Sequence, residues 1–293
     1  MPGEPIGKIL PKFIDDLKNK GRSPATILAY RADLNQLVSH LTEKGRALPE
    51  QVQKEDVESF RDSLLVQKYT AKSTSRKLNA VKTFFRWMIN EKVILVDPTK
   101  DVAHPKLGVS TPKFLSQLEY RALRDVVRTD KRIGTIVELI LQTGLRISEV
   151  ASLKKENVKG NEIIIEAYAT QAGRTIPLNK AAKFALENYL KDVSQDVEFV
   201  FVSKNGKPLA IRNIRASIDR YIQKAGIGKF SVNDLRTTFI IENVRRGVDL
   251  VTISQVAGHK RLSTTERYLS LANTDDLPKT KTSVGKKQEL EEL

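Results

Sequence analysis

The helical patterning of the first hundred residues ends abruptly. From Asp97-Pro98 through His104-Pro105 to Thr111-Pro112 the apolar residues lose all regular spacing and proline recurs. Proline fixes φ and removes a backbone donor, so no regular element runs easily through such a stretch. A chain of 293 residues interrupted in this way is expected to fold as two units, in keeping with roughly 100–200 residues per domain. The expected division is a first domain over 1–103, a linker over 104–114, a second domain over 115–272 and a polar tail over 273–293. Helix resumes just beyond the linker at Ser116-Gln117-Leu118-Glu119, a capping box in which serine and glutamate satisfy each other's free amides.

The first domain reads as helices. Ser23-Pro24 is an N-cap with proline at the first helical position, followed by Ile27, Leu34, Leu37, Val38 and Leu41 at helical spacing. A second helix is expected over Val57–Leu65 and a third over about Lys72–Asn90, with Leu78, Val81, Phe84, Phe85 and Met88 inward. Lys68, Lys72, Arg76, Lys77, Lys82 and Arg86 fall together with no acidic residue among them. Lys68, Lys72 and Arg76 would share a face if that helix began early enough. Such a run is either a solvated face or a set of phosphate contacts.

The second domain is mixed: mainly α with a small antiparallel β-sheet. Helices are expected over Ile133–Gln142 and Arg146–Leu153, strands over Glu162–Ala167 and Arg174–Leu178, and a helix over Ala181–Val193. Phe199–Ser203 with the Asn205-Gly206 turn suggests another hairpin. Helices near Arg212–Lys224, Val232–Arg246, Val251–Val256 and Thr264–Leu269 follow, and Leu290 and Leu293 leave room for a short terminal one.

Composition narrows the chemistry. Fifty Lys+Arg against 35 Asp+Glu give a formal charge of +15, which points to a polyanionic partner, most simply nucleic acid. The absence of cysteine removes disulfides, thiolate catalysis and cysteine-held metals, and His40, His104 and His259 are too scattered to suggest a metal site. Apolar runs such as Thr135–Leu141 fall short of the roughly 20 residues of a membrane span. The N-terminus lacks a secretory layout, so a cytoplasmic protein, nucleoid-associated in a bacterium or archaeon, is expected. No glycine-rich phosphate loop and no H-E-x-x-H occur, which disfavours an NTP-driven motor, a dinucleotide enzyme and a zincin.

The most distinctive string is Thr143-Gly144-Leu145-Arg146-Ile147-Ser148-Glu149-Val150: a helix end, a glycine turn, then an arginine opening the next helix. Asn233-Asp234-Leu235-Arg236, then Gly258-His259, then Tyr268 follow downstream. Two arginines, a histidine and a tyrosine make a coherent set for phosphoryl transfer. Guanidinium forks match phosphate oxygens, histidine adds a donor and tyrosine supplies an attacking oxygen. Each residue also has an ordinary alternative. Arg146 could pair with Glu149, Arg236 could be a surface arginine, His259 could end a helix, Tyr268 could be a core aromatic, and Asn233 could cap the helix of Arg236.

In their order, these motifs resemble the tyrosine recombinases, the lambda-integrase family, over nearly the whole chain. The segment with Ser23, Thr26 and Tyr30 is similar to that family's SAM-like, core-site-binding domain. The style is that of its short two-domain Xer and transposon-resolvase members, with no arm-binding domain expected before residue 8. The resemblance implies a C-shaped clamp of a helical domain and a mixed α/β catalytic domain around double-stranded DNA with specific core sites. It implies an enzyme of DNA recombination and integration, with no cofactor, metal or ATP. Such an enzyme cuts and rejoins DNA through a 3′-phosphotyrosine and a four-way (Holliday) junction, as a tetramer on two DNA sites, in a host chromosome or a mobile element. The tail 273–293 would dock on a neighbouring protomer. Position by position, it makes Arg146 and Arg236 the phosphate-clamping arginines, His259 the histidine on the scissile phosphate, Tyr268 the nucleophile and Glu149 a support for the first arginine.

Two positions depart from the family pattern. Where the family usually has histidine three residues before its second arginine, this chain has Asn233. The family's lysine, implied as general acid to the departing 5′ oxygen, would fall eight residues before Pro177 at Ala169, and no lysine occurs between Lys159 and Lys180. Arg174 is the nearest cation; Arg174 or water would then have to supply the proton. These departures leave two other readings open: a catalytically impaired homologue that mainly binds and synapses DNA, and a non-catalytic basic chromosomal or regulatory protein.

Overall fold

A computed structural model describes residues 3–108, 111–168, 171–194, 196–203 and 205–272. Ala169 and the tail 273–293 lie outside the described residues. The chain divides into two compact units, Met1–Ser110 and Thr111–Leu293.

The first unit is helical: α1 (Ile6–Asn19), α2 (Pro24–Glu43), α3 (Lys54–Val66) and α4 (Ala71–Asn90). Sequence reading did not anticipate α1, which has Pro11 inside it. Its apolar stripe of Ile6, Ile9, Leu10, Phe13, Ile14 and Leu17 is buried, and burial at roughly 25 cal/mol per Å² outweighs the one hydrogen bond that proline cannot make. Phe13 meets Phe84 and Trp87 of α4 at ring-centroid distances of 5.1 and 5.5 Å. Ser23 caps α2, its Oγ accepting from the Thr26 amide at 3.2 Å, and Tyr30 packs edge-on against Phe13. Beyond α4, Val93, Ile94 and Val102 return to the same core. Lys82 Nζ donates to the Val102 carbonyl at 2.8 Å and Arg61 Nη1 to the Ala103 carbonyl at 3.1 Å.

The second unit is arranged around α6. Its helices are α5 (Gln117–Val127), α6 (Lys131–Thr143), α7 (Ile147–Ala151), α8 (Lys180–Leu190), α9 (Ile211–Lys224), α10 (Val232–Arg245), α11 (Leu250–Ala257), α12 (Ser263–Glu266) and α13 (Leu269–Ala272). Residues Thr135 to Thr143 of α6 are all buried, and the polar ones among them find partners, Glu138 in Arg124 and Gln142 in Tyr120. An antiparallel sheet in the order β1 (Val158–Lys159), β2 (Glu162–Ile165) and β3 (Arg174–Pro177) lies between α7 and α8 in sequence. Ile163 pairs with Ile176, and both are fully buried. The hairpin expected at Phe199–Ser203 reduces to isolated bridges, Lys154 to Phe199 and Val202 to Pro208. The helix expected over Thr264–Leu269 is interrupted, with Tyr268 between α12 and α13. No helix among the described residues is long and apolar enough to cross a membrane.

Candidate active site

The site is organised by the C-terminus of α11. A helix leaves its last carbonyls without partners, and together they form a partial negative charge. Here two are closed by backbone: the Gly258 amide donates to the Gln255 carbonyl at 3.0 Å and the His259 amide to the Ser254 carbonyl at 2.9 Å. This is a left-handed glycine cap, with Gly258 at φ +67°. The next three carbonyls each receive a different arginine. Arg174 Nε donates to Val256 at 2.8 Å, Arg236 Nη2 to Ala257 at 2.6 Å and Arg146 Nη2 to Gly258. A Cβ on Gly258 would lie 2.8 Å from Arg174 Cζ and 3.0 Å from Arg146 Nη1, so any side chain there would push these guanidiniums off the cap as well as strain the left-handed backbone.

Arg236 is held at a second helix end. It projects from α10, and its Nη1 donates to the carbonyl of Gly144, the left-handed residue that closes α6. A Cβ there would overlap the Phe239 ring one turn further along α10. Burial, then the neighbouring Arg146 charge, pulls the Arg236 guanidinium down to about 10, leaving it charged at neutral pH.

Glu149 ties two of the arginines together. It reaches back to the Arg146 amide at 2.8 Å and accepts from Arg146 Nη1 at 2.8 Å. Arg174 meets it as a fork, with Nη1 and Nη2 each 2.8 Å from a carboxylate oxygen. Burial alone would push this carboxyl up, but the arginine and backbone donors prevail and hold it below the usual carboxylate range. Arg174, expected as a source of protons, thus has all three guanidinium nitrogens committed to Glu149 and Val256. Three guanidiniums around one carboxylate leave a positive surplus suited to an anion.

His259 follows the glycine cap. Its Nδ1 is 2.8 Å from Thr265 Oγ1, and its ring lies 6.5 Å from that of Tyr268 at an interplanar angle of 19°. Burial first, then Arg236, Arg146, Arg267 and Arg174, lowers the imidazole to about 4, so it is neutral at pH 7. Tyr268 is half-buried against the core, with the Arg267 guanidinium 5.6 Å from its ring centroid. Arg146, Arg174, Arg236, His259, Tyr268 and Glu149 therefore gather within one unit.

Other expected residues fall elsewhere. Asn233 does not cap α10; Ser231 does so in a box with Asp234, and Asn233 is exposed on the first turn. In the first unit Lys68 is not on α4 but in the preceding turn at φ +64°. Lys77, expected among the DNA-facing cations, is buried instead, its Nζ 2.8 Å from Asp33 Oδ1 and 2.7 Å from Gln36 Oε1. Arg76 forks onto the same Asp33 yet stays half exposed, while Lys72 and Arg86 are exposed on the same side of α4. Sequence reading did not single out Thr265, or the exposed Arg212, Arg215 and Arg220 of α9.

A small antiparallel sheet among helices is a fold that the second unit shares with the phage integrases. The phage integrase family matches residues 113–274, and the phage integrase N-terminal SAM-like domain matches residues 10–92. Tyrosine recombinase XerD of Pseudomonas aeruginosa is 30% identical over 277 residues, covering 90% of this chain and 93% of its own. Among solved structures, a lambda integrase dimer bound to a COC′ core site superposes with a TM-score of 0.74 at 16% identity, over 89% of this chain and 97% of that one. A lambda integrase tetramer bound to a Holliday junction gives 0.73 at 16% identity, over 88% and 78%. The chain belongs to the tyrosine recombinases of the lambda-integrase family, which are site-specific DNA recombinases.

Proposed function

We propose that this chain cuts and rejoins duplex DNA at specific core sites through Tyr268. The Tyr268 Oη attacks the scissile phosphorus as the hydroxyl proton leaves. The bond from phosphorus to O5′ breaks, a 3′-phosphotyrosine forms, and O5′ takes up a proton to become a free hydroxyl. A 5′ hydroxyl from a partner strand reverses the step, and because the ester bond is conserved no ATP is consumed. Arg146 and Arg236 would fork the non-bridging oxygens and stabilise the charge that grows on them in the transition state. His259 would add a neutral donor, and Glu149 would hold Arg146 in line.

The single observation that carries this reading is the convergence of Arg146, Arg236 and His259 on one helix end, with the Tyr268 ring beside His259. The lambda integrase tetramer on a Holliday junction supports strand exchange by four protomers on two sites. The exposed face of α4 in the first unit and of α9 in the second would supply phosphate contacts. The test is a nicked suicide substrate, from which the parent chain should form a covalent adduct and Tyr268→Phe none, with DNA binding retained. One observation favours the impaired-homologue reading: no lysine lies in residues 166–173, and Arg174 is fully engaged. DNA binding without any adduct from the parent would establish that reading instead.

A further inference from the structure

His259 stands among cations: Arg146, Arg174, Arg236 and Arg267 all act on it, and the imidazole is neutral at pH 7. A neutral imidazole has one N–H, and only the nitrogen that bears it can donate to a phosphate oxygen. The tautomer therefore decides whether this histidine is useful.

Thr265 is fully buried in α12, and His259 Nδ1 is the one hydrogen-bonding partner of its hydroxyl among the described residues, at 2.8 Å. A threonine hydroxyl can donate or accept, but a buried hydroxyl hydrogen with no acceptor is costly. Nδ1 is the acceptor at hand. If the hydroxyl donates, Nδ1 is unprotonated and the ring hydrogen must sit on Nε2, the nitrogen that Thr265 leaves free. The Thr265 carbonyl meanwhile accepts the Tyr268 amide at 3.0 Å. One residue thus holds the histidine by its side chain and the tyrosine by its backbone.

We propose that Thr265 is a positioning residue that fixes His259 as the Nε2–H tautomer, aims that N–H at the scissile phosphate and ties the histidine to the segment bearing Tyr268. The proposal rests on the phosphate being bound at His259, as in the preceding section. It gives a physical reason for a buried threonine three residues before the tyrosine, where valine would fill the same space.

The test has two arms on the full chain. In the first, nitrogen-15 spectra of histidine-labelled protein at pH 7 report the tautomer; with only three histidines, His259→Gln assigns the signal. The parent and Thr265→Ser should show hydrogen on Nε2, and Thr265→Val a mixture. In the second, Thr265→Val should cleave a nicked suicide substrate at least tenfold more slowly at unchanged DNA affinity, with Thr265→Ser within about threefold of the parent. Hydrogen on Nδ1 or a charged ring in the parent would overturn the proposal, as would a valine variant that cleaves as fast as the serine one. A parent that forms no adduct would overturn the functional reading and the catalytic half of this proposal together. The spectra need no reaction, so they separate that failure from a failure of Thr265 itself.

Discussion

Arg236 keeps its charge in a place where charge is costly, and it does so by contacting two helix ends rather than a carboxylate. Its two carbonyl partners, Gly144 and Ala257, orient the guanidinium before any phosphate arrives. Removing a preorganised donor of this kind typically slows reaction by roughly 10²–10³, so Arg236→Ala and Arg146→Ala should each lower the cleavage rate by that factor while DNA affinity changes little. Arg236→Lys should be nearly as slow, because a point charge cannot span both carbonyls and a phosphate. Single-turnover cleavage with each variant checks this, and rates within tenfold of the parent would remove that arginine from the site. The departing O5′ gives a second expectation. Arg174, a guanidinium whose three nitrogens are committed to Glu149 and Val256, is a poor acid. DNA with sulfur at the bridging 5′ position, which leaves without a proton, should therefore be cleaved much faster than ordinary DNA. Equal rates would show that an efficient acid is present. The residues of the proposed site were legible as candidates because they stand in short strings of fixed order. Thr265 was not, since its importance lies in a contact with a side chain six residues earlier, made only once the chain bends back over residues 260–262.

Among the elements, α4 illustrates how a charge run misleads. Its residues are one sequence of cations, but the helix turns about 100° per residue, so Lys72, Arg76 and Arg86 point outward while Lys77 turns inward to α2. There Asp33, only 2% exposed, receives both Arg76 and Lys77. Removing one partner of a buried ion pair costs about 3–5 kcal/mol. Asp33→Asn should thus destabilise the first unit by about 3 kcal/mol, and Asp33→Asn with Lys77→Met should recover most of that loss. Urea unfolding followed through Trp87, the lone tryptophan and a member of that core, measures both; additive losses would mean the two residues are uncoupled. No helix was expected over α1, whose buried stripe follows helical spacing around an internal Pro11. Tyr268 shows the converse, a continuous helical pattern that the fold interrupts so that the tyrosine sits between two short helices.

Over the whole molecule the surplus of positive charge is spread through both units, as a long polyanion would require. If the exposed α4 face touches phosphates, replacing Lys72 and Arg86 with glutamine should reduce the salt dependence of DNA binding by up to about 1.8, at roughly 0.9 per contact. Lys77→Gln should leave that slope unchanged, and affinities measured across a salt series distinguish the two. The division into helical and mixed units was legible from proline and periodicity alone, whereas the sharing of one helix end by Arg146, Arg174 and Arg236 was not, because no local pattern encodes it. That meeting has a consequence for anyone wishing to rebuild the site in another scaffold. Val256, Ala257 and Gly258 act as a ruler, offering one carbonyl per residue across the last turn of α11 and its left-handed cap. Grafting the arginines alone would leave them unspaced; the portable part is the end of α11 with its glycine. Inserting a single residue there would shift every guanidinium at once.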